Sequence, residues 1–146
     1  RVYDRILSPD EILRETVSIS IRNGIDGIVA SNTTVKRPPP LSTQSRKAFA
    51  NNGGLSGRPL HSRALEVISM SFDESRGRIP VIGVGGIDSK DSAWEAIISG
   101  SSLIQIYSAL VFNGPSVTSS IVKGLKDRVK ESGFSSISEA VGYKHI

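Results

Sequence analysis

Pro80-Val81-Ile82-Gly83-Val84-Gly85-Gly86, a helical pattern from Ser89 to Ile98, and then Leu103-Ile104-Gln105-Ile106 form the stretch that decides the fold. Pro80 has no N–H to give a ladder, so it opens the first apolar run, which the paired glycines close. Both apolar runs are short, rich in aliphatic residues and bounded by turn residues, so both read as buried strands. Between them Ala93, Trp94, Ile97 and Ile98 share one helix face, and Ser89 with Asp91 opens that helix. About 20 residues separate the two strands, enough for a right-handed crossover carrying one helix, so the strands are parallel.

The same order extends in both directions. Upstream, Gly27-Ile28-Val29-Ala30 is a further short strand. It follows a helix that Ser8 caps, that Pro9 can open without losing a bond, and whose positive end faces Asp10 and Glu11. Leu13, Val17 and Ile21 give that helix an apolar stripe ending near Asn23-Gly24, and another helix begins near Pro59-Leu60. Downstream, Val117, Ile121, Leu125 and Val129 mark a last long helix. The expected class is α/β, with about three parallel strands, flanking helices and two unpaired sheet edges that another element must cover. Residues 31–58 form a connection longer than the about 12–15 residues usual in compact domains, with Pro38-Pro39-Pro40 and Gly53-Gly54 inside it. Residues 34–52 are expected to be a mobile loop, while its two ends look built for contact.

Composition narrows the class. The chain has 146 residues, 38% hydrophobic and 22% charged, with no Cys and two His. A complete (β/α)₈ barrel takes about 250 residues, so the chain is one small domain or a piece of a larger one. No apolar run reaches membrane-spanning length, and Arg1 begins no signal or transit peptide. Absent Cys removes disulfides and thiolate metal sites, and His61 and His145 stand at no metal or triad spacing; surface placement is expected for both, and no metal site. A net charge of +4 with 5% aromatics gives no sign of nucleic-acid binding.

Ligands of parallel α/β folds sit at the carboxyl ends of strands, and here the residue after each apolar run is polar or glycine. The first strand is followed by Ser31-Asn32-Thr33-Thr34, the second by Gly85-Gly86, the third by Tyr107-Ser108. An Asn amide offers donors and an acceptor to an amide-bearing ring; the alternative is that Asn32 and Thr33 merely close a loop. Gly83-x-Gly85-Gly86 can bring backbone N–H groups to a phosphate without a Cβ in the way, with Ser56 and Gly57 completing the same anion pocket. The spacing matches neither a dinucleotide fingerprint nor a P-loop. Trp94, on a helix face with Ile97 and Ile98, is expected to pack rather than stack on a ligand.

Together, Ile28–Thr34, Gly53-Gly54-Leu55-Ser56-Gly57-Arg58-Pro59-Leu60, Pro80–Gly86 and Leu103–Ser108 resemble the C-terminal half of the class 2, quinone-linked dihydroorotate dehydrogenases, in the family's order. Phe112-Asn113-Gly114-Pro115 and the ending Glu139–His145 belong to the resemblance, which covers about residues 7–145. It implies that residues 1–146 are part of an FMN-binding (β/α)₈ barrel that oxidises dihydroorotate to orotate and passes electrons to a membrane quinone. Asn32 and Thr33 would bond the orotate ring and Ser31 would approach the flavin. Gly57, Gly86, Tyr107 and Ser108 would hold FMN, with Ser56 and Gly85 supporting the turns. The family's Ser base and its quinone- and membrane-binding region lie upstream of this stretch, so the chain alone is expected to be inactive. The resemblance further implies the mitochondrial inner membrane, or peripherally the bacterial cytoplasmic membrane. The family's flavin-contacting Lys would fall near Val2-Tyr3, where Arg1-Val2-Tyr3-Asp4-Arg5 has no match. Two other readings stay open: a non-catalytic half-barrel that binds phosphate ligands or dimerises through its strand edges, and another FMN-dependent barrel oxidoreductase.

Overall fold

The computed structural model describes residues 8–37, 39, 42–50 and 52–145. Its first helix, α1 (Pro9–Arg22), begins as the sequence dictates. The Ser8 hydroxyl accepts from the Glu11 N–H at 3.3 Å, and the Ser8 N–H donates to the Glu11 carboxylate at 2.8 Å. This reciprocal cap satisfies two backbone-end groups at once. The helix stops at Asn23, whose side-chain amide donates to the Ile19 carbonyl at 2.8 Å.

After α1 come β1 (Ile28–Ala30), α2 (Thr43–Phe49) and a 3₁₀ turn (Arg58–Leu60) that runs into α3 (His61–Ser75). The order continues through β2 (Val81–Val84), α4 (Lys90–Ile98), β3 (Ser101–Gln105) and α5 (Ser108–Asn113). It ends with α6 (Ser116–Glu131), α7 (Ile137–Ala140) and a 3₁₀ turn (Tyr143–His145). The strands form one parallel sheet in the order β1-β2-β3, so β1 and β3 are its edges, as expected of part of a barrel.

Register shows how the two faces differ. Ala30 pairs with Gly83 and Gly83 with Ile104, and these three point to the helices. There Ile68 of α3, Val81, Ala93 and Ala96 of α4, and Ile121 of α6 build the buried core. Ile68 packs so close to Gly83 that a Cβ there would sit 3.0 Å from its Cδ1. The alternate row is Val29, Ile82 and Leu103. Val29 is 57% and Leu103 62% exposed, so this face carries no helix of its own. Parallel sheets are ordinarily covered on both faces.

The structure departs from the sequence reading in four places. Residues 43–49, inside the stretch read as a loop, are helical; Thr43-Gln44-Ser45-Arg46-Lys47 has no apolar stripe to announce it. Strand β3 starts at Ser101, two residues early, because pairing with Val81 outweighs the weak strand preference of serine. The short helix α5 was not foreseen. Finally, His61 is not the surface group expected, its side chain being 18% exposed, while His145 is an exposed residue whose side chain is nonetheless only 19% exposed and held by partners. His145 lies 2.7 Å from the Asp73 carboxylate and 3.1 Å from the Ser99 carbonyl, with its ring against Phe72. Trp94 is half-buried and packs beside the core, its ring lying 6.2 Å from that of Phe134. The expectation for Val2-Tyr3 falls outside the described residues.

Candidate functional site

A cavity of about 540 Å³ opens at the carboxyl ends of the three strands. Its floor is largely apolar: the period-two alternation turns Val29 and Val84 to the bare face, with Gln105 beside Val84, while Ile106 lines the cavity from the row that packs on the helices. The nine candidates all reach it. Ser31, Asn32 and Thr33 enter from the tip of β1, Gly85 and Gly86 from β2, Tyr107 and Ser108 from β3, and Ser56 and Gly57 from the end of the long connection.

Local structure explains the convergence. The Ser31 N–H donates to the Val84 carbonyl at 3.0 Å, tying the tip of β1 to that of β2. The long connection returns to its start through an antiparallel bridge, Thr34 N–H to Leu55 carbonyl at 3.1 Å and Leu55 N–H to Thr34 carbonyl at 2.7 Å. Arg37 reinforces this neck, donating to the Thr34 carbonyl at 2.9 Å and also to the Gly53 carbonyl. Thr33 and Ser56 flank the bridge and are thereby brought to one rim. Across the cavity the Ser56 and Ser108 hydroxyls lie 3.2 Å apart.

Gly85 and Gly86 form a turn at φ +135° and +65°, a region open to glycine at little cost. A Cβ on Gly86 would lie 2.8 Å from the Gly57 carbonyl oxygen and 2.7 Å from the His61 Cβ, so the close approach also demands glycine. Among the described residues, nothing accepts a hydrogen bond from the N–H groups of Gly57, Gly86, Tyr107 and Ser108. Unpaired donors around one cavity, two of them on glycines whose missing Cβ leaves the backbone open, match what a phosphate requires.

Asn32 satisfies part of its own loop, its Oδ1 accepting from the Thr33 N–H at 2.7 Å. The loop-closing alternative is therefore partly realised, and the Nδ2 donors are left without an acceptor among the described residues. Beside the turn, Arg58 donates to Asp88, and this bond together with the carboxylate's charge pushes the guanidinium above its ordinary value. His61 lies just behind, Nδ1 3.2 Å from the Gly85 carbonyl oxygen and Nε2 2.9 Å from the Glu95 carboxylate.

Sequence reasoning passed over Val29, Val84, Gln105, Asp88 and His61. Gln105, a polar residue inside an apolar strand, was the readable signal for the cavity-facing row. His61 carried no such mark, because its partners are a backbone carbonyl and a residue 34 positions away. No group of three or more His, Cys, Asp or Glu that could hold a metal is found among the described residues.

Comparison with known proteins accords with this geometry. The dihydroorotate dehydrogenase family profile matches residues 6–129. Proteins named dihydroorotate dehydrogenase (quinone) from Rippkaea orientalis and Sphingopyxis alaskensis are 40% and 43% identical over 147 and 136 residues. These alignments take in 95% and 93% of this chain but only 39% and 37% of those proteins. The chain thus spans under two-fifths of the relatives it matches. Two Eimeria tenella DHODH crystal structures, one with ferulenol and one ligand-free, superpose with a TM-score of 0.85 at 28% and 29% identity. They cover 93% and 95% of this chain, which corresponds to 35% and 37% of theirs. A parallel sheet whose tips carry these motifs, matched by this profile over most of its length, belongs to the dihydroorotate dehydrogenase family.

Proposed function

We propose that the chain is the C-terminal part of an FMN-dependent dihydroorotate dehydrogenase, acting in pyrimidine synthesis with quinone as acceptor. It supplies flavin-phosphate and orotate contacts while the proton-abstracting base lies elsewhere in the enzyme. The observation that carries this reading is the convergence of nine strand-tip and loop residues on one cavity with an apolar floor.

In this reading the N–H groups of Gly57, Gly86, Tyr107 and Ser108 hold the flavin phosphate, and Ser56 and Gly85 shape the turns around it. The Asn32 amide and Thr33 hydroxyl bond the carbonyl and amide edge of the pyrimidine ring, while Ser31 lies toward the flavin. Bound FMN supplies the hydride acceptor that side chains cannot. The residues of this chain then act by binding and orientation, which alone hold reactants in register.

The relatives named dihydroorotate dehydrogenase (quinone) are bacterial, which favours peripheral attachment to a bacterial cytoplasmic membrane over the mitochondrial inner membrane. No helix among the described residues is long and apolar enough to cross a membrane, and we assign quinone and membrane contacts to a region outside this chain.

Mixing the purified chain with FMN and dihydroorotate tests the division of labour. Binding of FMN and orotate without flavin reduction is expected, since loss of a positioned base costs about 10²–10⁴-fold. Stoichiometric flavin reduction at an ordinary enzymatic rate would place the base within these 146 residues.

A further inference from the structure

We propose that His61 is a positioning residue that aims the Gly86 N–H into the cavity by holding the other end of the same peptide group. The proposal rests on the anion-binding reading of the Gly85-Gly86 turn and adds a residue that reading does not use. His61 is the first residue of α3, is mostly buried, and does not line the cavity.

The Ala30–Ser31 bond is the cis peptide of the described residues, so the Gly85–Gly86 peptide is trans. In a trans peptide the C=O and the following N–H point in opposite directions across a rigid plane. The Gly85 carbonyl is directed at His61 Nδ1, on the α3 side. The Gly86 N–H is thereby turned to the side of the peptide opposite His61, and Gly86 lines the cavity together with Gly57 and Ser108. A Gly-Gly pair needs such a hold more than any other dipeptide, because neither residue resists rotation of the plane between them.

The ring is itself anchored. Glu95 projects from α4 to Nε2, so the imidazole is strung between two helices with an acceptor before each nitrogen. Bonding both acceptors at once takes a proton on each nitrogen, and the one on Nδ1 is what the hold on Gly85 requires. The fit is also steric, since His61 Cα and Cβ lie where a Gly86 side chain would begin.

The test uses the purified chain and three variants, His61→Ala, His61→Gln and Glu95→Ala. Flavin fluorescence reads FMN affinity, and the ¹⁵N-labelled Gly86 amide reads contact with FMN or inorganic phosphate. His61→Ala should weaken FMN about tenfold, the size of one misdirected hydrogen bond, and abolish the Gly86 amide shift. His61→Gln, neutral but with an N–H able to reach the same carbonyl, should restore most of both. Glu95→Ala, at a side chain 53% exposed, keeps the fold and should weaken FMN by about threefold through a loosened ring. Should His61→Ala fail to fold, that variant alone decides. Unchanged affinity and an unchanged Gly86 shift in Glu95→Ala and His61→Ala would overturn the proposal and leave the flavin site standing. So would a His61→Gln variant as weak as His61→Ala, which would put the effect in charge or packing. A wild-type chain that binds neither FMN nor phosphate would overturn the site and the proposal together.

Discussion

On the side packed by α3 and α4 the sheet presents Ala30, Gly83 and Ile104 beneath Ile68 and Ala93, while on the other it presents Val29, Ile82 and Leu103 to open space. The two rows come from the same three strands, one residue apart. Small side chains on the first let helices approach to van der Waals distance, and that packing holds the unit together. The second row gains nothing from helices and instead runs on toward Ser31, Val84 and Gln105 at the cavity. One face of the sheet is thus committed to stability and the other to ligands and to whatever completes the barrel.

The contrast can be broken most severely at Ile68. Ile68→Ala removes a fully buried side chain and should cost about 2–5 kcal/mol, read by urea denaturation. Leu103→Ala, in the bare row, should stay within about 0.5 kcal/mol of wild type. Equal losses would mean that the bare face is covered.

Next in size is Gly83→Ala. The added Cβ would press on Ser101 Oγ and on Ile68 Cδ1, an overpacking that costs about 1–3 kcal/mol. Thermal denaturation checks it, and a double variant with Ile68→Val should recover part of the loss by making room.

The ligand side is sharpened by Asn32→Ala. Deleting the free Nδ2 donors should weaken orotate about tenfold while leaving FMN affinity and thermal stability near wild type. A fall in stability without a fall in orotate affinity would reduce Asn32 to the loop-closing role its bond to the Thr33 N–H already performs.

How much of this was legible in the sequence depended on whether the signal was local. The strands showed themselves through aliphatic runs between turn residues, and α1 and α4 through Ser8 and Ser89 at their starts. The cavity residues were readable because strand ends of parallel sheets are where ligands sit, whatever the fold's details. Helix α2 was hidden because Thr43–Phe49 lacks apolar periodicity. The partners of the histidines were hidden for a different reason: His61 and His145 are held by Gly85, Glu95, Ser99 and Asp73, groups that only the tertiary fold brings to them.

The smallest effect expected concerns acid. Glu11 is held below its ordinary value of 4.5 by its backbone and side-chain bonds with Ser8, and Asp91 below 3.8 by its hydrogen bond from Arg128. Depressed folded values mean that both contribute stability above those ordinary values and lose it as pH falls through the folded ones. Glu11→Gln and Asp91→Asn should therefore flatten the acid limb of a stability–pH profile slightly, as befits exposed groups, and leave the neutral region almost unmoved.

The central claim, that glycine-rich strand tips grip an anionic flavin tail, is met most directly by titrating the chain with FMN and, in parallel, with riboflavin, which lacks the phosphate. Saturable FMN binding with riboflavin weaker by about a hundredfold or more is the expected result, given several charge-assisted N–H bonds to one group. Equal affinity for the two flavins, or binding of neither, would contradict it.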